Sequence, residues 1–140
     1  MIVDTSAIVA IWFNEPSAAV LSRILLSARQ VSMSAATYVE LCAVLDNRDA
    51  PEDTRRLDTL LAAYGVQIVP FTPAQAQLAR AAYRDFGKGS GHAARLNLGD
   101  CFSYALASDT AEALLFVGDD FPHTDVVDAT SPPVTGTDLT

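Results

Sequence analysis

Apolar residues open the chain as an unbroken run, Met1-Ile2-Val3, which stops at Asp4. From Ser6 onward the pattern changes, and Ala7, Ile8, Ala10, Ile11 and Trp12 recur at the spacing of one helix face. The change predicts part of a buried strand, then a helix whose start Thr5 or Ser6 can cap. Asp4 thus stands at the carboxyl end of a strand, the edge where open α/β sheets bind ligands. Capping the helix is the plainer use of the same aspartate. Further acids arriving at that edge are what separates the two.

The alternation of strand and helix patterns continues along the chain. Asn14-Glu15-Pro16-Ser17 is a turn, with Pro16 set to begin a second helix through SAAVLSRILLSAR. Val31–Ser34 reads as a short strand, and residues 35–45 as a helix ending near Asn47. Pro51-Glu52-Asp53 opens another helix that Gly65 stops, and Val66–Val69 is a strand closed by Pro70. A long helix starts at Pro73 and ends at Gly87, and Lys88-Gly89-Ser90-Gly91 follows as a flexible loop. Gly99 precedes the helix DCFSYALAS, LLFV (114–117) is the next strand, and Val126-Val127 a short last one. Residues 1–130 form one domain, and the tail, 131–140, has no periodicity and frays. Such an order predicts an α/β fold with a mostly parallel sheet, helices on both faces and right-handed crossovers. Strand order is not readable from the pattern.

Composition narrows the class. In 140 residues, half hydrophobic and 19% charged, one globular core is possible and two are not. No apolar stretch is long enough for a bilayer, and MIVDTS lacks the basic region of a secretory signal. Cys42 and Cys101 fall in helical patterns without CxxC or zinc spacing and read as small reduced thiols. A cytoplasmic location follows. The net charge of −8 argues against a general nucleic-acid binder, because neutralising phosphates takes Lys and Arg. The charge is uneven, however: residues 80–95 carry +3 and the rest of the chain −11. Arg80, Arg84 and Lys88 are spaced four apart, which would put them on one helical face. A solvated face is the plain reading of that strip, and a grip on phosphate next to an acidic site is the sharper one.

The acids are the chemistry. Glu40 lies inside the apolar helix ATYVELCAVL, Asp100 directly follows Gly99 at a helix start, and Asp119-Asp120 follow the strand LLFV and Gly118. Alone, Glu40 could pair with an arginine, Asp100 could cap a helix, and Asp119-Asp120 could make a turn. Together with Asp4 they form a set of carboxylates that repel and raise one another's pKa unless a cation joins them. Carboxylates without matching lysines make a hard oxygen site suited to Mg²⁺ or Mn²⁺. Metal-assisted phosphodiester hydrolysis is the reaction that fits.

Four segments, MIVDTSAIVAI, TYVEL, RLNLGDCFSYALA and LLFVGDDFPHTDV, in this order and spacing, resemble a PIN domain. More closely, the chain resembles the VapC-type toxin ribonucleases of bacterial toxin–antitoxin pairs, from Met1 to about Asp128. The resemblance implies a three-layer α/β/α sandwich and cleavage of RNA with Mg²⁺ or Mn²⁺. It matches Asp4, Glu40 and Asp100 to the three acids of the family's metal site. It also implies a fourth acid in GDDF; counting from the strand end favours Asp119, with Asp120 kept beside it. Thr5 and Ser6 match the hydroxyl pair next to the first acid, where they could bond carboxylates, phosphate or a metal-bound water. Arg95 matches a basic position shortly before the third acid, joining Arg80, Arg84 and Lys88 as candidate phosphate contacts. The partners implied are an RNA substrate, a cognate VapB-type antitoxin that presents an arginine to the carboxylates, and a second copy of the chain. Ile8, Ile11, Trp12, Phe13, Leu25 and Leu26 are the apolar surface considered for those partners.

Other readings compete. A phosphatase or phosphoacceptor domain also sets an aspartate after its first strand, but it wants a nearby lysine, and Lys88 is the only one here. A PIN fold used only to bind proteins typically lacks one or more acids, and this chain keeps them all. A nuclease acting on DNA stays open, since the 2′-hydroxyl is what separates the substrates. His92 and His123 read as loop residues, because hydrolysis by a metal-activated water needs no histidine base. Trp12, Phe13 and Tyr38 read as core or interface rather than as platforms for bases.

Overall fold

The computed structural model describes residues 1–47 and 54–132. The expected helix opening at Pro51-Glu52-Asp53 and most of the expected tail lie outside the described residues. Four strands, β1 (Ile2–Val3), β2 (Val31–Ser34), β3 (Val66–Val69) and β4 (Leu114–Leu115), form one sheet in the order β3-β2-β1-β4. Every pairing in it is parallel. Six α-helices are described: α1 (Thr5–Trp12), α2 (Ala18–Ser27), α3 (Ala35–Asp46), α4 (Thr54–Ala63), α5 (Pro73–Phe86) and α6 (Leu98–Thr110).

Two-residue alternation along the strands divides the core. Ile2 and Leu114 point to one side and pack with Ala79 and Ala82 of α5 and Cys101, Ala105 and Leu106 of α6. Val3, Met33 and Leu115 point to the other, against Ile8, Leu25, Leu41 and Leu57 from α1 to α4. The result is the expected three-layer α/β/α sandwich. Burying a side chain such as Ile2 or Leu114 completely contributes about 1.5–3 kcal/mol. That is why β1 holds with two residues: both are fully buried, and it pairs on both sides.

Central position of β1 places Asp4 in the middle of the sheet's carboxyl edge. β1 and β2 each run straight into a helix, with the N-cap at the junction: Asp4 for α1 and Ser34 for α3. The cap of α1 is therefore Asp4 itself rather than Thr5 or Ser6. Helix α6 starts at Leu98 with Asn97 as its cap, so Gly99 is inside the first turn instead of before it. Helix α2 starts at Ala18, and Pro16 stays in the turn. Of LLFV only Leu114 and Leu115 are paired as strand, and Val126-Val127 gives way to one parallel bridge between Leu114 and Asp128.

Helix α5 ends at Phe86, where Gly87 caps it with extended backbone. Lys88 is thus off the helix, and the expected face of Arg80, Arg84 and Lys88 reduces to the two arginines. Among the apolar residues considered for partners, Ile8 and Leu25 are buried in the core, whereas Phe13 and Leu26 are exposed. Both cysteines are free thiols, Cys101 buried and Cys42 partly so.

Candidate active site

Asp4 is only 2% exposed, and its carboxylate is held by hydroxyls and backbone. Oδ2 accepts the Ser6 N–H at 3.0 Å and the Ser6 hydroxyl at 2.7 Å. Ser6 Oγ in turn accepts the Val117 N–H at 3.0 Å, tying the end of β1 to the segment after β4. Oδ1 accepts the Ser103 hydroxyl of α6 at 2.5 Å. Ser103 donates there, so Thr37 of α3 is the donor in its 3.3 Å bond to Ser103. A relay of hydroxyls, Thr37 to Ser103 to Asp4, thereby joins α3, α6 and β1 beneath the site.

Glu40 comes from the second turn of α3, and its Oε1 accepts the Thr5 hydroxyl at 2.6 Å. Its other oxygen lies against Gly99, where a Cβ would overlap Oε2 and the carboxyl carbon. Asp100 sits one residue further, locked in a capping box with Asn97. Its Oδ2 accepts the Asn97 N–H at 3.0 Å, and Asn97 Oδ1 accepts the Asp100 N–H at 2.8 Å. Oδ1 of Asp100 is left free of those bonds. Asp4 and Asp100 both stand in the positive field of a helix N-terminus, which favours negative charge there.

The electrostatics show that these acids form one group. The pKa of Asp100 is pushed from 3.8 to about 7, chiefly by burial and further by the charges of Asp4, Asp120 and Glu40; the Asn97 N–H opposes the shift. Glu40 is also raised, first by burial and then by Asp4, with the Thr5 hydroxyl pulling the other way. Every charge that acts on Asp100 is negative. From the pair after β4, it is Asp120, not Asp119, whose charge reaches Asp100. Counting from the strand favours Asp119, and Asp120 stands directly before the short turn Phe121–His123.

The candidate basic residues lie on α5 and in the loop that follows it. Arg84 is exposed and bonded to its neighbour Asp85 through two nitrogens at 2.9 and 3.2 Å, so its charge is already matched. Arg80 is exposed on α5. Lys88 and Arg95 line a surface recess of about 590 Å³ in the loop between α5 and α6. Thr5 and Ser6, candidates for substrate contact, direct their hydroxyls to Glu40 and Asp4. Ser103, Thr37 and Asn97 have no role in the sequence reading, and Gly99 has only a place before the helix. For Ser103 a signal exists: it is three residues after Asp100 and so shares its helix face.

Among the described residues no three or more His, Cys, Asp or Glu side chains form a ready-made metal cage. The donor set still fits a hard divalent cation. Such an ion takes one or two carboxylates, keeps several waters, and relieves the mutual repulsion felt at Asp100.

Known proteins share this architecture. The PIN domain family profile matches residues 1–127. Ribonuclease VapC42 of Mycobacterium tuberculosis is 57% identical over 126 residues, covering 90% of this chain and 96% of its own. Ribonuclease VapC30 of the same species is 42% identical over 132 residues, covering 94% and 100%. A crystal structure of Mycobacterium tuberculosis VapC20, described as a sarcin-ricin loop cleaving toxin, superposes with a TM-score of 0.71 at 18% identity, covering 91% and 96%. At that identity the superposition speaks for the fold alone. Family profile, relatives and carboxylate edge agree: the chain belongs to the PIN-domain family and, within it, to the VapC ribonucleases.

Proposed function

We propose that this protein is a metal-dependent endoribonuclease and the toxin of a toxin–antitoxin pair. The observation that carries the reading is the meeting of three acids where β1, α3 and α6 join: Thr5 bonds Glu40, Ser103 of α6 bonds Asp4, and Glu40 lies against Gly99 beside Asp100. A chain 57% identical to a named ribonuclease gives that gathering its reaction.

In this reading Asp4 and Asp100 would hold Mg²⁺ or Mn²⁺, and Asp120 would add negative charge nearby. When bound, such an ion polarises a phosphate oxygen and lowers the pKa of water. Glu40 orients the attacking water and takes its proton at Oε2, the oxygen that Thr5 leaves free. The water oxygen attacks phosphorus in line, the bond from phosphorus to the 3′ oxygen breaks, and that oxygen leaves with a proton from solvent. The products are a 5′-phosphate and a 3′-hydroxyl. Thr5, Ser6 and Ser103 keep the carboxylates in place without reorganisation during the step.

A nuclease free in the cytoplasm harms its own cell unless it is blocked. A VapB-type antitoxin that sets a guanidinium among the carboxylates would do so by charge-assisted bonds. No described helix is long and apolar enough to cross a membrane. Exposed Phe13, Leu26, Val39 and Leu98 offer surface for the antitoxin and for a homodimer.

The test is incubation of purified wild type and Asp4→Asn with total cellular RNA, Mg²⁺ or Mn²⁺ supplied, followed by sequencing of the ends. Discrete cuts bearing 5′-phosphates in the wild type alone support the reading. RNA left intact by the wild type overturns it in favour of a binding module, and cleavage of DNA alone redirects it to DNA.

A further inference from the structure

We infer that the loop 87–96 forms a nucleotide-binding subsite that holds the RNA strand beside the cleavage edge, an inference that rests on the ribonuclease reading. The recess there is lined by Lys88, Gly89, Gly91, His92, Ala93 and Arg95. Its charged lining is entirely cationic, on a chain whose net charge is −8. Unlike Arg84, neither Lys88 nor Arg95 has an acidic partner among the described residues. Two unmatched cations facing one recess suit the phosphates of a flexible strand.

The recess is built rather than fluid at its base. The Lys88 N–H donates to the Leu96 carbonyl at 2.8 Å, and the Leu96 N–H to the Phe86 carbonyl at 2.9 Å, so the two ends of the loop are clamped together. Ala94 and Leu96 are fully buried beneath it. Arg95, between them, is forced into left-handed backbone at φ 51°, a region that side chains enter at a cost. Arg95 is exposed while both its neighbours are buried. A glycine would take the same backbone without strain.

His92 adds a directional group. Its Nδ1 accepts the Ala94 N–H at 3.1 Å, so Nε2 is the ring nitrogen left to donate. The ring meets Phe86 edge to face, 4.9 Å between centroids, so that donor is held in one direction. An N–H beside two phosphate-binding cations can read an acceptor on the edge of a base. Register with the chemistry is short: Leu96 is anchored, Asn97 caps α6, and Asp100 follows within its first turn. A nucleotide seated in the recess therefore stands at a fixed offset from the carboxylates, which makes the loop a determinant of where the strand is cut.

The experiment is done in an Asp4→Asn background, so that binding is measured without turnover. Labelled short single-stranded oligoribonucleotides, each of one base, are titrated at several salt concentrations, with DNA counterparts alongside. Lys88→Ala and Arg95→Gly should each lower the log–log salt slope by about 0.7, and together weaken binding about tenfold. Arg95→Gly also releases the left-handed strain, so its melting temperature should hold or rise, and a loss of affinity then reports lost charge rather than damage. His92→Ala should shrink the affinity differences among bases while leaving the salt slope alone. Unchanged slope and affinity in the double variant, with wild type still cleaving RNA, would overturn the subsite and leave the nuclease reading standing. Wild type that neither binds nor cleaves RNA would overturn both.

Discussion

The carboxylate of Glu40 occupies the space in which a side chain on Gly99 would begin. Two helices meet there, α3 supplying the acid and α6 supplying a bare backbone beside Asp100. The glycine is not needed for its φ, because it lies within a regular helix; it is needed because it is small.

Gly99→Ala is therefore expected to push Glu40 out of place while leaving the fold intact. Alanine favours the helix over glycine by about 1 kcal/mol, and the half-buried Glu40 carboxylate can swing away. Cleavage should fall roughly 100-fold, the effect of an ångström-scale misplacement of a reacting group. Rates from a defined RNA substrate, with a thermal melt of the same sample, decide it. Full activity would mean that Glu40 has no fixed task at that position.

Ser103→Ala removes the single donor to Asp4 Oδ1 and ends the relay from Thr37. A hydrogen bond to a charged group is worth about 1.5–3 kcal/mol, and among the described residues the remaining bonds to the Asp4 carboxylate come from Ser6. Urea unfolding should show a loss in that range, and cleavage should weaken with it. Ser103→Thr, which keeps the hydroxyl, should retain most of both. A neutral Ser103→Ala would show that Ser6 alone fixes Asp4.

Legibility in the sequence followed what neighbours in the chain can decide. Asp4 was legible because a strand that stops and a helix that starts are both local patterns, and their junction defines the ligand edge. Glu40 and Asp100 were legible as acids amid apolar residues. Asp119 against Asp120 was not, because both follow Gly118 in one loop and no local pattern separates them. Ser103 and Thr37 were hidden for another reason: their pairing spans 66 residues and depends on α3 and α6 packing side by side. The loop position of Lys88 was legible from Gly87, which ends α5, but its four-residue spacing from Arg84 wrongly suggested one shared face.

Asp4→Asn should abolish cleavage yet keep the fold. The asparagine oxygen can still accept from Ser6 and cap α1, while its amide meets Ser103, whose hydroxyl can turn to accept. What disappears is the charge that would hold a cation. Activity should drop by more than about 100-fold, beyond what a supporting residue alone would cause. Calorimetric titration with Mn²⁺ should show binding to the wild type and none to the variant. Equal heats in both would remove Asp4 from the metal site.

Asp100 gives the site a pH dependence whose sign is fixed. Its pKa in the fold stands at about 7, against 3.8 for an ordinary aspartate, so the folded protein favours the protonated form. Below pH 3.8 both folded and unfolded chains carry the proton, and the group exerts no pull on stability. Between 3.8 and about 7 the unfolded chain releases a proton that the fold retains, so metal-free stability falls as pH rises through this window. Above it the full penalty of a charged, half-buried Asp100 is present. Asp100→Asn should flatten the trend in melting temperature across the same interval, because the amide does not titrate. A divalent ion reverses the slope, since it needs the deprotonated carboxylate and binds more tightly as protons leave. Melts of the metal-free protein from pH 4 to 8, repeated with Mg²⁺ or Mn²⁺, should therefore diverge most at the alkaline end. Parallel curves with and without the ion would mean that Asp100 takes no part in holding it, and the carboxylate edge would need another explanation for its charge.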